Sequence, residues 1–263
     1  MIRRRLQEVR ILADGRGVFV RTGGPADGAR LPVVCVHGAI VSGQYMLPTA
    51  ERLATRRRVI VPDLPGFGHS DHPPEPLAVP ALADALRTVL DVLGVERAHI
   101  LGNSLGAQVT AEFAMRFPER TASAILVGPT VDGRAPSLPR QAWRLALDAF
   151  RERPPLLAIV FADIFRDGLR FAATSLLNAL RDRIEDKVPH ISAPVLIVSG
   201  TRDPLAPPEW ATELGSLTPC ARVELIPGPH ALNYSRPDEL VRAVAEFIEG
   251  LEAAGDGSAC ERS

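Results

Sequence analysis

The chain has 263 residues, is 46% hydrophobic and 23% charged, and carries a formal net charge of −1. That balance fits an ordinary soluble α/β-sized domain, and it excludes a basic nucleic-acid binder and an acidic disordered tail. Three widely spaced cysteines (Cys35, Cys220, Cys260) form neither a disulfide framework nor a metal-ligand pair, no apolar segment follows the basic N-terminus, and no run of 18 apolar residues exists, so a cytoplasmic protein without a membrane partner is expected.

In chain order, "LQEVRILADGRGVFVRTGG" reads as two strands joined at Asp14-Gly15, a hairpin signal. "LPVVCVHG" is a short apolar run ending in glycine, as expected of a buried strand. Residues 44–54 can form a helix, and "RRVIVPDLPGFGHSD" is a strand followed by a Pro/Gly-rich loop. Leu82, Leu86, Leu90 and Leu93 share one helical face, with Gly94 as the stop. "RAHILGN" is a strand and 105–116 a helix. "ASAILVGP", "APVLIVSG" and "ARVELIPG" are further strands, "PEWATELGSL" is helical, and "RPDELVRAVAEFIEGLE" is a closing helix.

Strand and helix alternate after the hairpin, which is the pattern of a mostly parallel sheet covered on both faces. The alternation breaks over 131–190, where two to four helices are expected as a helical insertion between the core segments 1–130 and 191–263. Apolar residues of that insertion (Leu145, Leu147, Phe150, Ile159, Phe161, Phe165) exceed what a surface hairpin buries, and some are expected to face an apolar pocket. The tail "AAGDGSACERS" is small and polar and is expected to fray.

The chemistry centres on "ILGNSLGAQ". Ser104 sits between Gly102 and Gly106 where a strand pattern gives way to a helix pattern. G-x-S-x-G in that context is a nucleophile elbow, a strained turn that holds the serine hydroxyl clear of the sheet. A serine needs a base, and the base needs an orienting carboxylate. The expected chain order is Ser, acid, His, with acid and base each just past a late strand. Asp203 in "VLIVSGTRDPLAP" and His230 in "VELIPGPHALN" meet that demand. Asp132, after the earlier strand, is the alternative acid. The N–H groups of Leu105 and of Ala39 in "VHGAIVSG" are the expected oxyanion donors. Ser42 and Asn103 are candidate substrate-binding residues. His37 is read as bracing the oxyanion loop, His99 as structural, His69 and His72 as solvated or pocket-wall residues, and His190 as a surface residue. Arg166 and Arg170 are read as solvated helix-face residues.

With "VHGAIVSG", "VIVPDLPGFGHSD", "ILGNSLGAQ", "VLIVSGTRDPLAP" and "LIPGPHALNYSRPDEL" in this order, the chain resembles the α/β-hydrolase superfamily over roughly residues 7–250. The resemblance implies a mostly parallel eight-stranded sheet with a helical cap. It also implies Ser104 as nucleophile, Asp203 as acid, His230 as base, and Ala39 and Leu105 as oxyanion donors. No metal or organic cofactor is required. Ser104 argues against dehalogenases and epoxide hydrolases, which place an aspartate there. "GNSLG" resembles the elbow of meta-cleavage-product hydrolases, but those usually carry tryptophan directly after the histidine, where this chain has Ala231. A serine hydrolase acting on a small carboxylic ester or thioester is therefore expected. The alternatives are a carbon–carbon bond hydrolase on the same triad and a non-catalytic ligand-binding member of the fold. Oligomeric state is left open.

Overall fold

The computed structural model describes residues 6–25, 28, 30–134 and 137–254, with the side chain of Leu138 excepted. Cys260 and most of the tail expected to fray lie outside these residues. The strands are β1 (Gln7–Ala13), β2 (Arg16–Gly23), β3 (Val33–Val36), β4 (Val59–Pro62), β5 (Ala98–Asn103), β6 (Thr121–Val127), β7 (Val195–Gly200) and β8 (Ala221–Ile226). They form one sheet in the order β1-β2-β4-β3-β5-β6-β7-β8. β1 and β2 are antiparallel, as are β2 and β4, and the remaining pairs are parallel. The turn between β1 and β2 has positive φ at both Asp14 and Gly15, the conformation a two-residue hairpin requires.

Burial follows from position in the sheet. The central strands β3 to β7 are buried along their whole length, whereas the edge strands β1 and β8 are partly exposed. A parallel strand covered on both faces favours apolar or small side chains along its length, which is why β3, β4 and β7 read as Val/Ile/Leu-rich runs while the polar His99 and Ser123 of β5 and β6 bond each other.

One face of the sheet packs on α1 (Leu47–Leu53) and α9 (Pro237–Ala254), with Leu196 and Val198 pointing that way. The other face packs on α2 (Val79–Val92), α3 (Leu105–Arg116) and α7 (Pro208–Leu217), with Val195 and Ile197 turned toward it. Leu82, Leu86 and Leu90 are buried as their spacing demands, and Gly94 takes φ +64. The short α8 (Leu232–Ser235), just after His230, had no sequence signal.

Between β6 and β7 the chain runs through α4 (Leu138–Ala149), α5 (Pro154–Asp167) and α6 (Leu169–Arg181). Pro154 and Pro155 open α5, where missing N–H groups cost nothing. All described elements that carry candidate site residues do so at the carboxyl ends of β3, β5, β6, β7 and β8. The strand order reverses between β3 and β5, and such a reversal opens a crevice beside those ends.

Candidate active site

Ser104 follows β5 directly and caps α3, with φ 60 and ψ −120. Left-handed φ in a non-glycine residue costs on the order of 1–3 kcal/mol, so the surroundings must hold it. They do so by close approach. A Cβ at Gly102 would lie 2.0 Å from the Gly106 carbonyl oxygen, and one at Gly106 would lie 2.3 Å from that of Val36. Only glycine fits at either position, which is the physical content of G-x-S-x-G.

The His230 Nδ1 lies 2.8 Å from Asp203 Oδ2. The other carboxylate oxygen, Oδ1, accepts the Leu205 and Ala206 N–H groups at 2.8 and 2.9 Å, which fixes the carboxylate in one orientation. Gly128 takes φ +51 after β6, and a Cβ there would sit 3.0 Å from the His230 ring. The His230 Nε2 is buried with no hydrogen-bond partner among the described residues, and both His230 and Ser104 line the same cavity. The alternative acid, Asp132, is taken by Arg134 and Arg144 at 2.9 and 3.0 Å.

Ala39 lines this cavity beside Ser104. Neither the Ala39 nor the Leu105 N–H is taken by another group among the described residues. The preceding Gly38 N–H donates to Tyr45 Oη at 2.9 Å, and Tyr45 Oη donates to Asn103 Oδ1 at 2.7 Å. Asn103 Nδ2 donates to the Val127 and His230 carbonyls. Asn103, a candidate substrate ligand by sequence, therefore has its amide occupied in tying the oxyanion loop to the elbow and the histidine loop. Ser42 does not line the cavity; it is buried, and its N–H donates to Asp163 Oδ2 at 2.8 Å.

The other histidines sort as their positions suggested. His37 is fully buried, with Nδ1 against the Gly38 carbonyl and Nε2 accepting the Leu64 N–H. Burial lowers its pKa and keeps it neutral. His99 bonds Ser123 Oγ and is pushed by burial down to about 3. His69, His72 and His190 are exposed. Arg166 turns to Asp163, and Arg170 pairs with Glu75 on the surface.

Residues on the inserted helices that gave no sequence signal also reach the site. Asp148 on α4 accepts the His230 N–H at 3.2 Å, and Glu152 just beyond α4 accepts the Ala231 N–H. Thr130 Oγ1 lies 3.5 Å from Ser104 Oγ. Burial raises Asp148 to about 6 and Glu152 to about 7, the neighbouring Asp148 charge adding to the latter. Burial pulls the His230 imidazole down. The charge and hydrogen bond of Asp203, with Asp148 and Glu152 behind them, outweigh burial and leave it raised to about 9.

The cavity has a volume of about 700 Å³. Its walls are aliphatic side chains of α4, α5 and α6, among them Leu145, Leu156, Val160, Ile164, Leu176 and Leu180. Of the insertion residues expected at a pocket, Leu145 and Phe161 line the cavity and Ile159 packs on the core. Phe150 and Phe165 instead stand in solvent, because the helices that bear them are apolar on their outer faces as well. Among the described residues no cluster of three or more His, Cys, Asp or Glu side chains is arranged to hold a metal ion.

Comparison with known proteins places this geometry in context. The chain is 29% identical over 250 residues to the 2-hydroxy-6-oxo-2,4-heptadienoate hydrolase of Pseudomonas putida, covering 84% of this chain and 90% of that one. A solved membrane phospholipase A superposes with a TM-score of 0.76 at 26% identity, over 93% of this chain and 86% of that one. A thermophilic esterase from Thermogutta terrifontis superposes with a TM-score of 0.78 at 24% identity, over 93% and 98% of the two chains. The model of the alpha/beta hydrolase family matches residues 33–243, which span β3 to α9 and every candidate site residue, and the protein belongs to that family.

Proposed function

We propose that the protein is a serine hydrolase that cleaves a carboxylic ester or thioester with an apolar acyl group, through an acyl-enzyme. The observation that carries this reading is the strained Ser104 turn beside the Asp203–His230 pair, on the floor of a cavity with aliphatic walls. In the proposed cycle Ser104 Oγ attacks the carbonyl carbon. His230 Nε2 takes the hydroxyl proton and returns it to the leaving alkoxide or thiolate. The Ala39 and Leu105 N–H groups hold the oxyanion, each such donor being worth roughly 2.7–4 kcal/mol. Water then attacks the acyl-enzyme, with His230 again as base. Asp203 stabilises the imidazolium and fixes its tautomer. The inserted helices act as a cap that shapes the acyl pocket.

Carbon–carbon cleavage of a dienoate requires groups that bind a carboxylate. Among the described residues no arginine or lysine lines the cavity, and two carboxyl groups, Asp148 and Glu152, do. Ester turnover is therefore expected to dominate. The kcat/KM values of p-nitrophenyl esters from acetate to octanoate should rise with chain length, by up to about fourfold per buried methylene. A tenfold preference for a dienoate ring-fission product over these esters, with the same preparation, overturns the ester reading. Fluorophosphonate labelling of Ser104 separates an enzyme from a pure binding protein.

The base acts only as neutral imidazole, so raising its pKa moves the acidic limb of kcat/KM upward. Activity is therefore expected to climb between pH 7 and about 9. Glu152→Gln removes a negative charge that favours the imidazolium. The limb should then shift down by up to about half a pH unit, a gain of about twofold in kcat/KM near pH 8 that shrinks at pH 7, where Glu152 is itself about half protonated. A limb that stays in place, or moves up, contradicts the assigned electrostatics.

A further inference from the structure

Two of the inserted helices turn an apolar face to water. On α4 and its cap residue, Pro139, Trp143, Ala146 and Phe150 recur at helical spacing and form one stripe. On α5, Pro154, Ala158, Phe161 and Phe165 repeat the same spacing. Trp143 is 70% exposed, Phe150 90%, Phe161 70% and Phe165 92%, and Leu169 at the start of α6 adds 75%. Single exposed apolar residues need no explanation, but stripes of aromatic residues on adjacent elements mark an interaction site.

The stripes border the opening of the cavity. Ala142, Ala146 and Phe161 are exposed and also line it. The charges around them have one sign. Arg140, Arg151 and Arg153 are exposed and make no ion pair among the described residues. The carboxylates of these helices are withdrawn: Asp148 and Asp163 are buried, Asp167 is turned to His72 at 3.3 Å, and Glu152 is turned to the Ala231 N–H.

We propose that the outer face of α4 and α5 is a binding surface for anionic lipid, which seats the cavity opening on a membrane interface so that the apolar acyl substrate enters from the lipid. Aromatic side chains with flanking arginines fit the headgroup–acyl boundary, and each basic residue gains energy from an anionic surface. A second copy of the chain fits this face poorly. That copy would bring its own Arg140, Arg151 and Arg153 to the same contact, where like charges repel. No described helix is long and apolar enough to cross a membrane, so the attachment lies on the surface. It departs from the absence of a membrane partner expected from sequence. The lipid contact goes beyond the hydrolytic reading and is tested without turnover; only the entry of the acyl substrate rests on that reading.

The test uses the Ser104→Ala protein, so that binding is read without turnover. Phosphatidylcholine–phosphatidylglycerol vesicles and pure phosphatidylcholine vesicles are compared by sedimentation and tryptophan emission. The two tryptophans make the readout local: Trp143 is exposed, and Trp210 is buried with its Nε1–H on the Pro129 carbonyl. The expected result is pelleting with anionic vesicles and a blue shift from Trp143. Phe150→Ser with Phe165→Ser should lower partitioning at least tenfold. In the Ser104 background the same pair, which does not line the cavity, should leave turnover of a soluble short-chain ester unchanged. Arg140→Glu with Arg153→Glu should weaken anionic binding by a similar factor without touching the aromatic face. The proposal is overturned by failure to pellet with either vesicle, by equal binding to both, or by light scattering that shows a dimer which the phenylalanine pair converts to monomer.

Discussion

Replacing Ser104 with alanine is expected to lower turnover of the preferred ester by a factor on the order of 10⁴–10⁶. The substitution removes one oxygen, which is the attacking atom of the proposed cycle. The backbone cost stays the same, because alanine has the same Cβ and the same penalty at φ 60. The close contacts that enforce the turn belong to Gly102 and Gly106 and are untouched. Stability should therefore change by less than about 0.5–1 kcal/mol, as measured by denaturant unfolding. What remains is weak catalysis by the oxyanion donors and by binding. A Ser104→Ala protein that keeps more than a tenth of native turnover removes Ser104 from the mechanism.

Asp203→Asn is expected to cost about 10⁴ in turnover. Asp203 Oδ1 accepts two backbone N–H groups, from Leu205 and Ala206. An asparagine keeps those bonds only by leaving its carbonyl oxygen there, which turns its NH₂ toward His230. The His230 Nδ1 must then accept a hydrogen bond, so the proton moves to Nε2, and Nε2 can no longer take the serine proton. The replacement is nearly isosteric, so the loss measures tautomer and charge. Asp132→Asn is the control. Asp132 is held by Arg134 and Arg144, so its loss should lower stability and leave turnover within a few-fold. Stopped-time assays of both variants on one ester decide the matter. If Asp132→Asn is crippling and Asp203→Asn is mild, the acid must be reassigned.

Both expectations can be read from the sequence because the features behind them are local. A buried parallel strand writes itself as an apolar run. A tight strand-to-helix turn demands glycine two residues either side of the serine. An acid and a histidine just past successive strands are brought to one sheet edge by any parallel arrangement. The hairpin and the bounds of α3 and α7 followed from the same signals, whereas the strand order came from the structure alone.

The sequence by itself therefore determined the mostly parallel sheet, the glycine-flanked turn at Ser104, and the helical stretch between β6 and β7, and it put Asp203 and His230 just past successive strands. Tertiary structure decided what that insertion brings to the site and what the polar residues beside the elbow are used for. Asp148 and Glu152 meet the His230 loop across 82 and 79 residues of chain, and Asp163 meets Ser42 across 121. These carboxylates carry no local signal for that role, and sequence leaves Asn103 open between binding substrate and satisfying backbone groups beside the elbow; Tyr45, Val127 and His230 occupy its amide. The same limit applies to the apolar faces of α4 and α5. Helical period states that a face is apolar, but Leu145 turns to the cavity while Trp143 and Phe150 turn to water. Period is a property of neighbours in the chain. What covers a face depends on elements far along the chain that pack against it, and no local pattern encodes that choice.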